Sequence, residues 1–370
     1  MNTHNNSNVT SQAPFVNKSH WTLRPLANML RSRLLGWSGN KLASVAVKSW
    51  EIAPSETTIS PSAFYLPNQL ERVTDWAFTS EHPHREMEGG ITSEHSPTNA
   101  YLLKDAWLID GTLLKDNSCT YLQPRVRKLP QFRAPFEIAQ AAIYSTPGGI
   151  QYFGQWLMDD CVTYPLAASL GTPVSAIKKL VSTHTHEYKK LLGMSPTFYE
   201  NVFFKELIIF EDVGQNRSKH NRFRANSEKL LTSVRSNPHP GVFILRGTNG
   251  MPRTLKNELA IAEHLRSTRG FRILDPMKSD VATIIETCAG AQAVIGVEGS
   301  QLIHGVMTLQ ENCALLTLQP PNRFVSVFKH LTDRDHQHFG FVVGMPDGDG
   351  FYISIEEVER TLDLFPKSHG

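Results

Sequence analysis

The chain has 370 residues, 40% of them apolar and 19% charged, with a formal net charge of +2. This is the balance of a water-soluble globular protein; it excludes a largely disordered chain, and so small a charge gives no bulk pull towards nucleic acid. The length exceeds one ordinary core and suits two domains.

The cysteines Cys119, Cys161, Cys288 and Cys313 form no C-x-x-C pair, which points to buried, reduced thiols in a reducing compartment. No apolar run is long enough to span a bilayer. The polar start "MNTHNNSNVTSQ" lacks the basic and apolar blocks of a signal peptide, so the expected location is cytoplasmic. Residues 1 to about 19, rich in Asn, Ser and Thr, read as disordered. In "HWTLRPLANMLRSRLLGW", Leu23, Leu26, Leu30, Leu34 and Trp37 recur at helical spacing, and Arg24, Arg31 and Arg33 take other faces. Such a helix either docks on its own protein or makes a peripheral contact with the inner face of a membrane through residues 20–37.

Residues 50 to 135 read as a β-rich entry region, with "AYLLKDAWLIDGTLL" as two strands around Lys104-Asp105 and a turn at Asp110-Gly111. "AQAAIYS" (139–145) is a strand, "QYFGQWLMDDCVTYPLAAS" a helix after a Gly148-Gly149 loop, "KLVS" (179–182) a strand, "HEYKKLLG" a helix closed by Gly193, and "ELIIFED" a strand. The basic run "RSKHNRFR" (217–224) reads as a solvated connection. From residue 241 the alternation is strict: "GVFILRG", "FRILD", "QAVIG" and "CALLTL" are strands, separated by helices in "TLKNELAIAEHLRSTRG", "SDVATIIETCAG" and "GSQLIHGVMTL". Gly270 and Gly290 suit helix stops, Ser279 or Asp280 a start. The pattern predicts a doubly wound α/β unit. The tail "SIEEVERTLDLF" opens with a capping-box pattern, Ser354 to Glu357.

In open α/β sheets ligands sit beyond the C-terminal strand ends. The strand ending at Gly296 feeds Val297-Glu298-Gly299-Ser300 and then a helix. The first amides of a helix lack intrahelical partners and carry partial positive charge. Gly299 admits close backbone approach and Ser300 adds a hydroxyl, which together suit phosphate; the same loop also reads as a tight turn without a ligand. It lacks the G-x-G-x-x-G spacing and sits in the third strand-to-helix turn, which argues against a nicotinamide dehydrogenase.

The stretch from Arg246 through Arg253, Asn257-Glu258, Gly270-Phe271 to Asp275-Pro276 and on to Gly296–His304 resembles the C-terminal half of family-61 glycosyltransferases of the capsular polysaccharide type. "YFGQWLMDD" (Tyr152 to Asp160) is similar to that family's "Y.HWL.E/D" motif, and the likeness runs over roughly 95 to 320. The chain departs from the pattern at Glu298 (often His), Ser300-Gln301 (Ala-Gly), His304 (Asn) and Gln155 (His). The resemblance implies a GT-B-like α/β architecture, with two Rossmann-like domains facing a cleft and a β-rich N-terminal region. It also implies sugar transfer with inversion from a nucleotide sugar to a growing surface polysaccharide or glycolipid, with no cofactor and usually no metal. The expected division is a variable leader with the amphipathic helix at 1–50, an acceptor-side domain at 51–235, a nucleotide-sugar-binding domain at 236–345, and a C-terminal helix at 346–370 packing back on the N-terminal domain.

Inverting transfer needs a base for the acceptor hydroxyl and positive charge for the leaving diphosphate. Asp159 falls on the family's acidic position and, at helical spacing, shares a face with Gln155 and Trp156 on the acceptor side; Asp160 is the neighbouring candidate, and either could instead pair with an arginine. Arg246 and Arg253 can clamp phosphate. Asn257 and Glu258 open a helix, Glu298 can accept from ribose hydroxyls, and His304 lies one turn after Ser300. "DRD" (333–335) and "DGD" (347–349) read as loops rather than metal sites, and "HTHE" (184–187) has no second cluster at zinc spacing. The altered Gln155 and Glu298 positions keep a second reading open: a non-catalytic glycan- or nucleotide-binding protein of the same fold.

Overall fold

The computed structural model describes residues 15–35, 41–77, 83–123, 129, 131–176, 182–247 and 253–366. It is a mixed α/β protein with two main sheets. The first holds nine strands: β1 (Phe15–Val16), β2 (Lys48–Ala53), β3 (Thr98–Ile109), β4 (Thr112–Lys115), β5 (Ser118–Tyr121), β6 (Glu137–Ile143), β7 (Thr172–Ser175), β8 (Thr197–Phe198) and β9 (Val202–Glu211). Their order is β8-β7-β6-β9-β3-β4-β5, with β1 on β6 and β2 on β3. Strands β8, β7, β6 and β9 are parallel and the rest are antiparallel. The expected break at Lys104-Asp105 does not occur. Asp105 takes φ 53°, and β3 keeps its register with β9 from Leu108↔Val202 to Asn99↔Glu211. The turn at Asp110-Gly111 has positive φ at both residues (46° and 71°), the hairpin geometry that Asp-Gly favours.

The second sheet is wholly parallel: β10 (Val242–Ile244), β11 (Arg272–Leu274), β12 (Ala293–Val297), β13 (Ala314–Gln319) and β14 (His338–Val343), in the order β11-β10-β12-β13-β14. Its inner strands β10, β12 and β13 are buried along their whole length, while the edge strand β11 is exposed at Arg272, as a sheet covered on both faces requires of its centre. The order reverses beside β10, between β11 and β12, and a doubly wound sheet opens its crevice at such a point.

Among the described residues the helices of eight residues or more are α1 (Arg24–Leu35), α2 (Cys161–Leu170), α3 (Thr185–Leu192), α4 (Arg217–Leu231), α5 (Glu258–Arg269), α6 (Val281–Cys288), α7 (Val327–Arg334) and α8 (Ile355–Leu362). Gly193 and Gly270 close α3 and α5 in the left-handed conformation. Asp280 caps α6 by accepting from Thr283 N.

Several local expectations are revised. Gly148-Gly149 is not a loop but part of a short helix, Pro147–Gln151, capped by Thr146. The single helix expected after it is three pieces: Phe153–Gln155, a π-helical turn Trp156–Asp160, and α2. The run 217–224 is not a linker but the first half of α4, with Lys219 fully buried. "DRD" closes α7 rather than forming a loop. The helix over "GSQLIHGVMTL" shrinks to a 3₁₀ turn, Ser300–Leu302, and one α turn, Ile303–Val306. Ser354 makes no capping bond, and the Glu357 carboxylate that would complete a capping box is engaged by Arg72 instead. Most of "KLVS" and all of Trp37 lie outside the described residues; the strand found nearby is β7, upstream.

A strap from the first half crosses onto the second sheet. Phe64 bridges Gly340 in parallel along β14: its N–H donates to Phe339 O (2.8 Å) and its carbonyl accepts from Phe341 N (3.1 Å). Gln69 Oε1 accepts from Val343 N (2.6 Å), and Arg72 grips Glu357 of α8 through two bonds of 2.9 and 2.5 Å. One continuous buried cluster contains Ala142, Trp156 and Val162 as well as Ile244, Val294 and Ile303.

Candidate functional site

The C-terminal ends of β10, β12 and β13 converge on one cavity of about 950 Å³. From the second sheet it is lined by Arg246, Arg253, Glu298, Gly299, Ser300, Gln301, His304 and Arg323; from the opposite side it is closed by Gln151 to Gln155, Met158 and Ser182 to His184. Arg323 was not anticipated. It follows β13, whose end faces the cavity as those of β10 and β12 do, so its only sequence signal is a basic residue in the loop after a buried strand.

The three guanidinium groups set the electrostatics. Arg246 Nη1 and Arg253 Nη1 each donate to the Glu298 carbonyl (2.8 Å both), and Arg253 also pairs with the Glu298 carboxylate. Burial, then Arg246 and Arg323, pull Arg253 down to about 9; burial also lowers Arg246. These shifts record cations crowded out of water. Among the lining residues Glu298 is the single carboxylate. Arg253 Nε and Arg323 Nε are buried with no bond acceptor. The arrangement therefore holds more positive charge than it neutralises, and guanidinium forks match phosphate oxygens.

Glycines let this wall form. A Cβ on Gly299 would overlap the Arg246 guanidinium, so the bare backbone there admits that side chain rather than lying open. A Cβ on Gly154 would sit 3.2 Å from Ser300 Oγ; glycine lets the Phe153–Gln155 turn rest against the loop after β12. Because the helix following Ser300 is so short, its dipole adds little, and the arginines supply most of the positive potential.

Glu258 is half-buried. Its carboxylate accepts from Arg246 N (2.9 Å), and burial raises its pKa. The Asn257 amide brackets Ile353, donating to its carbonyl (2.7 Å) and accepting from its N–H (3.3 Å). Neither side chain lines the cavity: the first holds the Arg246 loop and the second ties the C-terminal segment to α5. His304 is buried, with Nδ1 2.7 Å from the Tyr188 hydroxyl, its ring stacked on Tyr188 and edge-on to His184. Burial, reinforced by His184, pushes it down to about 3, so it is a neutral imidazole at pH 7.

The front-side motif divides between two places. Gln155 lines both the main cavity and a neighbouring one of about 430 Å³. Asp159 lines only the smaller one, beside Thr146, Thr163 and Asp212. Its Oδ1 accepts from Lys219 Nζ (2.6 Å), which also donates to Asp212 O (2.8 Å). Asp212 is held by Arg222 through bonds of 2.7 and 2.8 Å. Asp160 turns inward and accepts from Thr146 N (3.1 Å) and Oγ1 (2.8 Å); burial raises its pKa well above the carboxylate range. Trp156 is in the core, stacked with Phe153. Thus Gln155, Arg246, Arg253, Glu298, Gly299, Ser300 and His304 come together in one cavity. Asp159 stands in the adjacent one, while Asp160, Trp156, Asn257 and Glu258 support the walls.

The chain matches no curated protein sequence. The family model described as Glycosyltransferase 61 matches residues 37–316. That span takes in the glycine-opened loop, Arg246, Arg253 and the whole Tyr152–Asp160 motif, and the chain belongs to the glycosyltransferase 61 family.

Proposed function

We propose that this glycosyltransferase moves a sugar from a nucleotide-sugar donor, with inversion, onto a growing surface polysaccharide or glycolipid, across a cleft of GT-B type. The observation that carries this reading is the convergence of Arg246, Arg253 and Arg323 around the Glu298–Ser300 loop. Three half-buried guanidinium groups, with Glu298 as the one carboxylate lining the same cavity, suit a diphosphate dianion, whose charge grows as the glycosidic bond breaks. They can carry that charge in the transition state without a bound metal. The nucleotide lies along the ends of β10, β12 and β13, the acceptor enters from the Gln155 side, and Asp159 takes the acceptor proton. Ser300, packed on Gly154, joins the two sides. Glu298 orients Arg253 rather than standing free for a ribose.

The pairing of Asp159 with Lys219 and of Glu298 with Arg253 favours the second reading, a binding protein without turnover. A thermal-shift screen over nucleoside diphosphates and nucleotide sugars tests the shared part of both readings, because a ligand bound only to the native state raises stability as RT ln(1 + [L]/Kd). Product analysis with the donor so found then separates them: release of nucleoside diphosphate coupled to formation of a glycoside of inverted anomeric configuration supports the enzyme. If no nucleotide shifts the transition, the proposal fails.

A further inference from the structure

Helix α1 meets the body along a side that mixes Asn28 with the half-buried Pro25, Leu26 and Met29. Asn28 is its one buried residue. Arg24 donates to Asp116 Oδ1 (3.3 Å) and Arg31 to Asn117 Oδ1 (2.9 Å), both in the turn between β4 and β5. The sequence pattern placed these arginines on faces other than that of the leucines, and Arg24 and Arg31 face the protein. The side left outward is apolar. Leu23, Ala27, Leu30 and Leu34 follow helical spacing on one stripe, with Leu23 71% and Leu34 77% exposed, and Trp21 (71%) and Leu35 (77%) extend the patch. A helix that merely packs on its own protein buries its apolar stripe. Here only Leu26 of the leucine stripe is half-buried while Leu23, Leu30 and Leu34 stay exposed, and an exposed apolar patch marks an interaction surface.

Charge identifies the occupant. Residues 1–50 contain Lys18, Arg24, Arg31, Arg33, Lys41 and Lys48 and no Asp or Glu, against a net charge of only +2 for the whole chain. A second copy of the chain would bring the same acid-free segment to the contact and would be repelled. A surface of anionic phosphates is attracted by the cations while its acyl boundary takes the leucines. We propose that α1 lies flat in an anionic lipid surface, with Trp21, Leu23, Leu30, Leu34 and Leu35 at the acyl boundary and Arg33 and the flanking lysines at the phosphates. The turn that holds α1 belongs to the β4–β5 hairpin, and Leu113 and Thr120 of that hairpin wall the smaller cavity together with Lys41 and Leu42. Docking on α1 therefore brings the cavity that contains Asp159 to the lipid side of the molecule. This inference does not depend on the transfer chemistry.

The test is flotation of the full-length protein with vesicles of phosphatidylcholine alone or mixed with phosphatidylglycerol, at low and high salt. The expected result is co-flotation with the anionic vesicles, weakened by salt, and loss of partitioning by about a hundredfold in the Leu30→Glu/Leu34→Glu double variant. Both positions are exposed, so the variant keeps the wild-type melting temperature and nucleotide response. Equal flotation of variant and wild type would overturn the proposal. So would equal binding to neutral vesicles, or a concentration-dependent dimer that the double variant abolishes, which would assign the face to a second copy.

Discussion

Glu298→Gln is the most informative change, because it removes charge from the cavity while keeping shape. In the wild type the carboxylate pairs with Arg253, whose side chain is only 9% exposed. Removing one partner of a buried pair costs about 3 kcal/mol, since the other charge stays desolvated. At roughly 2.1 cal/mol/K per residue, unfolding this 370-residue chain carries an entropy of roughly 0.8 kcal/mol/K, so the unliganded variant should melt roughly 4 °C lower. Ligand binding should move in the other direction. The Glu298 backbone carbonyl still accepts from both Arg246 and Arg253, so the guanidinium groups keep an anchor, while a negative charge facing the phosphates is gone. At an assumed separation of ~6 Å and an effective dielectric of ~20, that repulsion is on the order of 2–3 kcal/mol. Rearrangement of Arg253 offsets part of it, and nucleoside diphosphate affinity should rise about tenfold. Melting curves with and without a saturating nucleotide, followed by calorimetric titration, measure both quantities. A fall in nucleotide affinity would refute the reasoning, because it would make Glu298 a direct acceptor for the ligand, as for a ribose hydroxyl.

Arg323→Ala should weaken nucleoside diphosphate binding by roughly tenfold to a hundredfold, the worth of one charge-assisted bond, with little change in unliganded stability; titration checks it. Asp159→Asn should abolish transfer while leaving donor affinity within about twofold, because its side chain is outside the main cavity; a turnover assay and a titration on the same sample decide this. Asp160→Ala should instead destabilise the fold by about 1–3 kcal/mol, since Thr146 loses two bonds in the cap of the Pro147–Gln151 helix. Burial holds His304 down to about 3, whereas an unfolded histidine takes up its proton near pH ~6.5. Stability from this residue is therefore complete above that pH and is lost as pH falls towards the native value. Across that window the wild type should lose about 1.4 kcal/mol per pH unit more than His304→Asn, as read from urea midpoints between about pH 4 and 6.

The second sheet was legible because its strands are buried runs and its helices carry capping residues that act locally: Asp280 bonds Thr283, and Gly270 takes the left-handed stop. Arg246, Arg253 and the Glu298–Ser300 loop were legible because strand ends in such a sheet share one edge. Three things were not. The π turn at Trp156–Asp160 replaces i→i+4 with i→i+5 bonding, so counting at ordinary helical spacing put Trp156 on the face of Gln155 and Asp159, whereas those two line the smaller cavity and Trp156 enters the core. The run at 217–224 showed only a sum of charges; that Lys219 meets Asp159 and Arg222 meets Asp212 depends on how α4 packs. Glu357 sits at the third position of a capping box, yet Arg72, 285 residues away, takes its carboxylate. In the last two cases a distant contact overrides a local rule; in the first the local bonding itself departs from the ordinary helix.

The strap at Phe64–Arg72 has a consequence for how the protein can be cut and made. Its main chain occupies hydrogen-bonding positions along the outer strand of the parallel sheet, at Phe339 to Phe341. A piece beginning near residue 236 would carry all five parallel strands but present that border bare, an invitation to stick to another molecule's border. During synthesis the strap leaves the ribosome long before the strand it shields, so the early portion must wait for the last third of the chain before its own polar backbone is satisfied. Excising the portion that carries the second sheet as an independent module should therefore yield aggregate, and supplying residues 41–77 on the same polypeptide is the way to keep it dispersed.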